Sequence, residues 1–354
     1  MLSQPTSTQD GENSYTYSYD KGGNILSKTV NGVTTLYSYE DDGWGDLLTA
    51  YDGDSITYDT VGNPLTYRGG MVFTWTGREL TGATVNGQNI SYAYNADGMR
   101  TKKTIGSTVT YYTVDGSKII SQKTGTASMY FDYSADGNPF HMSYNGRFYY
   151  FVLNGQGDVI ALLDSSGNTV VEYTYDPWGK VLSVTGTLAG TLGQANPIRY
   201  RGYYYDSETG FYFLQSRYYD PETGRFLNAD GVISGSGETV KGYNQFAYCF
   251  NNPINMSDET GNWPTWHDIG NKIKEGVQWV TDKIVKPIVQ TGKKLWQTVV
   301  KGTTTTGVAV SGSFGISGTG SLGVSYDSEG NLGIVVSGGG GGGTPSASAS
   351  LFKT

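Results

Sequence analysis

The sequence predicts a mainly β fold: a curled antiparallel sheet of repeated hairpins, followed by a small α+β tail. Three observations predict it. A tyrosine-led turn motif recurs at intervals close to twenty residues. The residues flanking each copy alternate apolar with polar, the period of a half-buried strand. The composition supplies strands and turns together, with 52 glycines and 29 tyrosines in 354 residues, 37% hydrophobic and 16% charged. Tyr, Thr and Val suit a pleated surface, and Gly, Asn and Asp suit tight turns.

The same counts exclude several classes. A single cysteine, Cys249, permits no internal disulfide and no Cys-rich zinc site. Only His141 and His267 are present, so no multi-histidine metal centre is expected, and no cofactor. A net charge of −8 argues against nucleic acid as a partner. No apolar run of about eighteen residues marks a membrane helix. Met1-Leu-Ser-Gln-Pro shows no basic and apolar regions of a signal peptide.

Residues 1–14 read as an N-terminal extension and 15–185 as the repeat array. Copies begin at Tyr19-Asp20, Tyr39-Glu40, Tyr58-Asp59, Tyr94-Asn95, Tyr112, Tyr133 and Tyr175-Asp176, and each reaches a glycine within four residues. Trp75-Thr76-Gly77 and Leu153-Asn154-Gly-Gln-Gly157 read as degenerate copies. Ser14–Tyr19, the turn, and Ile25–Val30 make one hairpin. The Asp or Asn before the turn bonds its own backbone, and the glycine takes the positive φ. Lone hairpins are marginal in water, so the copies must share one sheet.

These Tyr-Asp copies with a Gly-Asn turn resemble the RHS/YD-repeat proteins of bacteria. Tyr200-Arg-Gly-Tyr-Tyr-Tyr-Asp206, then Arg217-Tyr-Tyr-Asp220-Pro-Glu-Thr-Gly-Arg225-Phe226, then Asn251-Asn252-Pro253 resemble the RHS-associated core, here 186–262. The resemblance implies a spiral sheet curling into a hollow shell, closed by the core, with a variable and often toxic C-terminal domain. It also implies that the chain is the C-terminal piece of a longer protein, secreted or on the cell surface, with an open N-terminal sheet edge. In such proteins two aspartates of paired Asp-Pro-x-Gly motifs cut the chain after the second motif. The matching residues are Asp230 and Asp258, and the cut would fall near Asn262–Trp263. Both prolines are missing here, and each aspartate equally suits a turn cap beside glycine. Two close carboxylates cannot both ionise, so one keeps a proton as acid while the other activates water. Arg217 and Arg225 read as ion-pair partners of Asp206 and Asp220 that hold the core motif together.

Composition changes at Trp263. The tail carries eight lysines against five acids. Residues 266–301 read as an amphipathic helix, with Ile269, Ile273, Val277, Val280, Ile284 and Ile288 on one face. That stripe suits either packing or an anionic membrane surface. Residues 307–337 read as a Gly-rich β-hairpin and the end as flexible. Gly318-Thr-Gly-Ser-Leu-Gly323 formally matches a dinucleotide fingerprint but lacks the helix that motif needs. Cys249 reads as a small buried hydrophobe and His141 as a packed side chain.

Three functions follow. The leading one is a carrier whose partners are its own C-terminal domain and the upstream repeats. A surface module binding carbohydrate or cell wall is the alternative. The enzymatic reading is one cut on its own chain by Asp230 and Asp258.

Overall fold

The structure, a computed structural model, describes residues 6–10, 13–40, 45–231, 244–262, 265–266, 306–314, 318–326, 332–339 and 347–353. It divides into two compact units, Met1–Ile273 and Lys274–Thr354.

In the first unit twenty strands between Ser7 and Thr185 run antiparallel, each beside its sequence neighbour. A six-stranded sheet spans Ser7–Asp10 to Asp54–Ser55, and a fourteen-stranded sheet spans Thr57–Tyr58 to Val181–Thr185. The wall starts earlier than the sequence suggests. Ser7–Asp10 lies in the expected extension, yet pairs with Asn13–Tyr19, Ser7 opposite Thr16 and Asp10 opposite Asn13. The strand is short and polar, so nothing in its pattern announces it. It is the terminal strand of its sheet among the described residues.

Two kinds of turn recur along the wall. The first is the tyrosine-led motif. At Asp59–Asn63, Asp59 Oδ1 accepts from the amides of Val61 and Asn63, both at 2.9 Å, and Gly62 has φ 82°. Asn63 Nδ2 then donates to Asp59 Oδ2 and to the carbonyl of Gly77, both at 2.8 Å. The closing asparagine therefore fixes its own turn and ties it to the next repeat. Asn154–Asp158, expected to be degenerate, forms this turn in full. The second kind is a two-residue loop with both residues at positive φ, as at Asn31-Gly32, Asn86-Gly87 and Asn145-Gly146. Two-residue loops also form after Thr76, where Thr76 pairs with Glu79, and after Asp115, which pairs with Lys118.

The signature tyrosine has a physical reason. Its hydroxyl donates to a carbonyl of an earlier strand: Tyr39 to Ile25 at 2.9 Å, Tyr94 to Leu80 at 2.8 Å, Tyr133 to Ile119 at 3.0 Å. Trp75 replaces tyrosine and makes the same link through Nε1, to Pro64 at 2.7 Å. The ring packs inside while the polar tip satisfies a buried backbone acceptor.

Strand alternation sends Tyr15, Tyr17, Phe73, Tyr92, Phe131 and Phe151 inward. The resemblance implies a hollow wall; here the space inside is packed with aromatic rings of the core segment. Tyr204–Asp206, Phe211–Phe213, Tyr218–Asp220 and Arg225–Phe226 form a four-stranded sheet, and Phe211, Tyr212, Tyr219 and Tyr248 are fully buried. The early and late hairpins meet through side chains. Tyr17 packs edge-on against Trp178 at 5.9 Å, and Lys28 pairs with Asp176 at 3.1 Å.

In the second unit Thr306–Phe314, Gly318–Tyr326, Leu332–Gly339 and Ala347–Lys353 form an antiparallel sheet. The 307–337 hairpin is thus part of four strands. Ala347–Lys353, expected to be flexible, pairs with Thr306–Phe314, because Ala349, Leu351 and their small neighbours alternate as a strand requires. The Gly318–Gly323 fingerprint lies inside a strand. Thr265–Trp266 pairs with Met256–Ser257, so the expected helix does not begin at Trp266; residues 267–301 lie outside the described residues.

Candidate functional site

Arg217, Asp230 and Asp258 converge from three parts of the core. Arg217 precedes the strand Tyr218–Asp220, and its guanidinium carbon stacks 3.6 Å from the centre of the Phe226 ring. The amide of Asp230 donates to the carbonyl of Gln245 at 3.0 Å. Asp258 follows the strand Met256–Ser257, and its amide donates to the Tyr203 hydroxyl at 2.9 Å. That hydroxyl lies 3.1 Å from the Tyr248 hydroxyl.

One nitrogen reaches both acids. Arg217 Nη2 stands 3.0 Å from Asp230 Oδ2 and 3.8 Å from Asp258 Oδ2. Nη1 donates to the Gln245 carbonyl at 2.8 Å, and Nε donates to the Gly261 carbonyl. The turn at 258–262 is therefore held from outside by Arg217 and from inside by Asp258. Asp258 Oδ1 accepts from the amides of Gly261 at 2.8 Å, Asn262 at 3.2 Å and Thr260 at 3.3 Å. Gly261 must be glycine: its φ is 76°, and a Cβ would stand 2.7 Å from the Leu214 carbonyl and the Ser216 hydroxyl.

The two carboxyl groups differ in environment. Asp230 holds the closer contact with Arg217. Asp258 is 1% exposed, and among the described residues its buried Oδ2 has no hydrogen-bond partner. Burial pushes the Asp258 carboxyl above its usual range, against the pull of Arg217 and the turn amides. Burial also brings the Arg217 guanidinium down to about 10, opposed by Asp230 and Asp258, so it stays charged at neutral pH. The arrangement sets one carboxyl group against a cation and buries the other beside it, where burial disfavours its charged form. Cys249 is fully buried, and burial with Asp258 nearby pushes its thiol upward, which suits a packing role.

The expected pairing of Arg217 and Arg225 with Asp206 and Asp220 is wrong. Asp206 is held by Arg100 at 2.5 Å and Lys103 at 2.9 Å, and Asp220 by Arg68 at 2.6 and 2.8 Å. Arg225 donates to Asn24 at 3.1 Å, Tyr39 at 3.1 Å and the Asp46 carbonyl at 2.6 Å. Core acids meet wall cations because the wall curls around the core. A signal existed: Lys28, Arg100 and Lys103 occupy inward positions of wall strands, where a lone charge is costly.

His141 sits on the wall's outer face, its Nδ1 2.6 Å from Asp132 and its ring beside Phe148 and Tyr150. Among the described residues no group of His, Cys, Asp and Glu converges as a metal site requires.

Comparison with known proteins agrees with this architecture. The tRNA3(Ser)-specific nuclease WapA of Bacillus spizizenii is 35% identical over 264 residues, covering 70% of this chain and 11% of that protein. Teneurin-1 of Gallus gallus is 25% identical over 73% of this chain and 10% of its own length. Toxin protein Tse5 of Pseudomonas aeruginosa is 42% identical over 19% of this chain and 5% of its own length. This chain thus spans about a tenth of the first two relatives. The crystal structure of TcdB2-TccC3 superposes with a TM-score of 0.56 at 22% identity, covering 70% of this chain and 14% of that one, which shows a shared fold. A family model described as Teneurin YD-shell matches residues 1–254. With its Tyr-Asp wall and aromatic core matched along that stretch, the chain belongs to the teneurin YD-shell family.

Proposed function

We propose that this chain is the closing part of a toxin-like YD shell, secreted or surface-borne within a longer protein, that presents the region after residue 262 as an effector. The supporting observation is the anchored turn at 258–262. Arg217, Asp258, the Ser216 hydroxyl on the Thr260 carbonyl at 2.7 Å and the Gln215 amide on the Glu259 carbonyl at 3.0 Å anchor this turn on the core. Relatives named as a nuclease and a toxin match this chain over a small share of their length. The test compares hosts expressing the full chain with hosts expressing a chain ending at Asn262, by growth and dye leakage. Equal growth and equal leakage in several hosts sinks the effector reading.

Release by one internal hydrolysis is the finer form of this proposal, supported by Asp258 Oδ2, which among the described residues is buried and accepts no hydrogen bond. Asp230 takes a proton from water as its oxygen adds to the Asn262 carbonyl carbon. Asp258 gives its proton to the departing amine of Trp263, so one water is consumed and one peptide bond breaks. Intact mass distinguishes one chain from two pieces, and Asp258→Asn should leave a single chain. If the pieces form equally in that variant, this chemistry is wrong.

The competing reading, a carbohydrate- or wall-binding surface, draws on Tyr130, Phe148 and Tyr150, which stay exposed on the outer face. Polysaccharide pull-down with Phe148→Ala separates it from the carrier reading.

A further inference from the structure

A cleft of about 290 Å³ lies between the inner face of wall strands Arg100–Ile105 through Pro139–Tyr144 and the segment 194–208. Its lining includes Arg199, which is 3% exposed. Arg199 Nε donates to the Asn196 carbonyl at 3.1 Å, and Nη2 to those of Gly193 at 3.1 Å and Gln194 at 3.3 Å. The guanidinium carbon lies 4.5 Å from the centre of the Tyr205 ring and 5.3 Å from that of Tyr173. Among the described residues it has no acidic partner, and Nη1 donates to nothing. The other cation of the cleft, Lys103, is by contrast matched by Asp206 and Glu208. A buried cation lacking a counter-charge is costly, and a ligand anion would supply the missing partner.

The rest of the lining says what the anion is attached to. The hydroxyls of Thr110 and Thr124 lie 2.7 Å apart, each with bonding capacity to spare. Gln122 accepts from the Tyr204 hydroxyl at 2.5 Å, but among the described residues its Nε2 reaches only the Met129 sulfur at 3.3 Å, a weak acceptor. Two hydroxyls and an amide donor suit a ligand bearing hydroxyl groups. The volume stands at the lower end of small-molecule sites, which begin near roughly 300 Å³.

We propose that this cleft binds a small hydroxylated carboxylate, its carboxylate on Arg199 and its hydroxyls on Thr110, Gln122 and Thr124. The site is separate from Arg217, Asp230 and Asp258 and does not depend on self-cleavage.

The test is ligand-observed saturation-transfer NMR on the full chain, with glucuronate, glucose and inorganic phosphate as probes. Glucuronate should bind, and Arg199→Gln should weaken it about tenfold or more, the usual effect of losing a hydrogen bond to a charge. Because Arg199 also ties three carbonyls, a second variant is needed. Thr110→Val with Thr124→Val leaves those ties intact and should weaken glucuronate by roughly fivefold. Absence of glucuronate binding overturns the proposal. So does glucose binding as tightly, which removes the role of Arg199, or phosphate binding as tightly, which reduces the cleft to a bare anion site.

Discussion

Lys28 Nζ donates to Asp176 Oδ2 at 3.1 Å, joining the first tyrosine-led hairpin to the last repeat turn across 148 positions of sequence. Both side chains are almost fully buried, 8% and 2% exposed. The first and last hairpins therefore meet through side chains, this charge pair and the Tyr17–Trp178 contact, rather than through strand hydrogen bonds. Removing one partner strands the other charge. Lys28→Ala should lower unfolding stability by about 3 kcal/mol in denaturant titration. A loss below about 0.5 kcal/mol, typical of exposed pairs, would mean the hairpins do not meet.

The tyrosine links predict equal losses from unlike residues. Tyr133→Phe and Trp75→Phe each remove one donor from a buried strand carbonyl, at 3.0 and 2.7 Å. Each should cost about 1–2 kcal/mol by thermal or chemical unfolding, since an acceptor is left unmet. Trp75→Tyr should cost less than Trp75→Phe if the repeat position, rather than the ring, sets the link.

Glycine at 224 should be irreplaceable. Its φ is 70°, and a Cβ would stand 2.8 Å from Trp178 Cε3. Gly224→Ala should cost about 2 kcal/mol or more, because both backbone strain and overlap with the buried indole oppose it. The measurement is the unfolding midpoint, with Gly155→Ala, which meets nothing within 4 Å, as the control.

Stability should depend on pH in two opposite ways. Burial raises the Asp206 carboxyl, but Arg100 and Lys103 outweigh it and hold it below the ordinary 3.8. Its contribution is present above that value and is lost as pH falls below it. The Asp258 carboxyl is raised, chiefly by burial. Its contribution is complete below 3.8 and is lost as pH rises through the raised value. Thermal midpoints should therefore climb as neutral solution is acidified, then fall in stronger acid. Asp258→Asn should reduce the climb, leaving the share of Asp46, which burial also raises, and keep the fall; an unchanged climb would show that Asp258 does not contribute.

Much of the wall was legible because its causes are local. Asp59 bonds amides two and four residues ahead, and the glycine that follows needs its positive φ whatever lies elsewhere. Ser7–Asp10 escaped notice because four polar residues carry no period-two signal. The core site was half legible. The motifs placed Arg217, Asp230 and Asp258 in one region, but no spacing says that one arginine nitrogen faces both acids.

Sequence alone determined the hairpins, their spacing near twenty residues, the inward tyrosines and the change of character at Trp263. Tertiary structure decided the rest: Asp206 with Arg100 rather than Arg217, Asp220 with Arg68, Arg199 without an acid among the described residues, and an interior packed with the core's rings. Hairpin chemistry acts over a few residues, whereas Arg100 and Asp206 stand 106 positions apart. Which charges meet depends on how tightly the sheet curls and how deep the core sits, and both are set by the accumulated twist and packing of the whole wall.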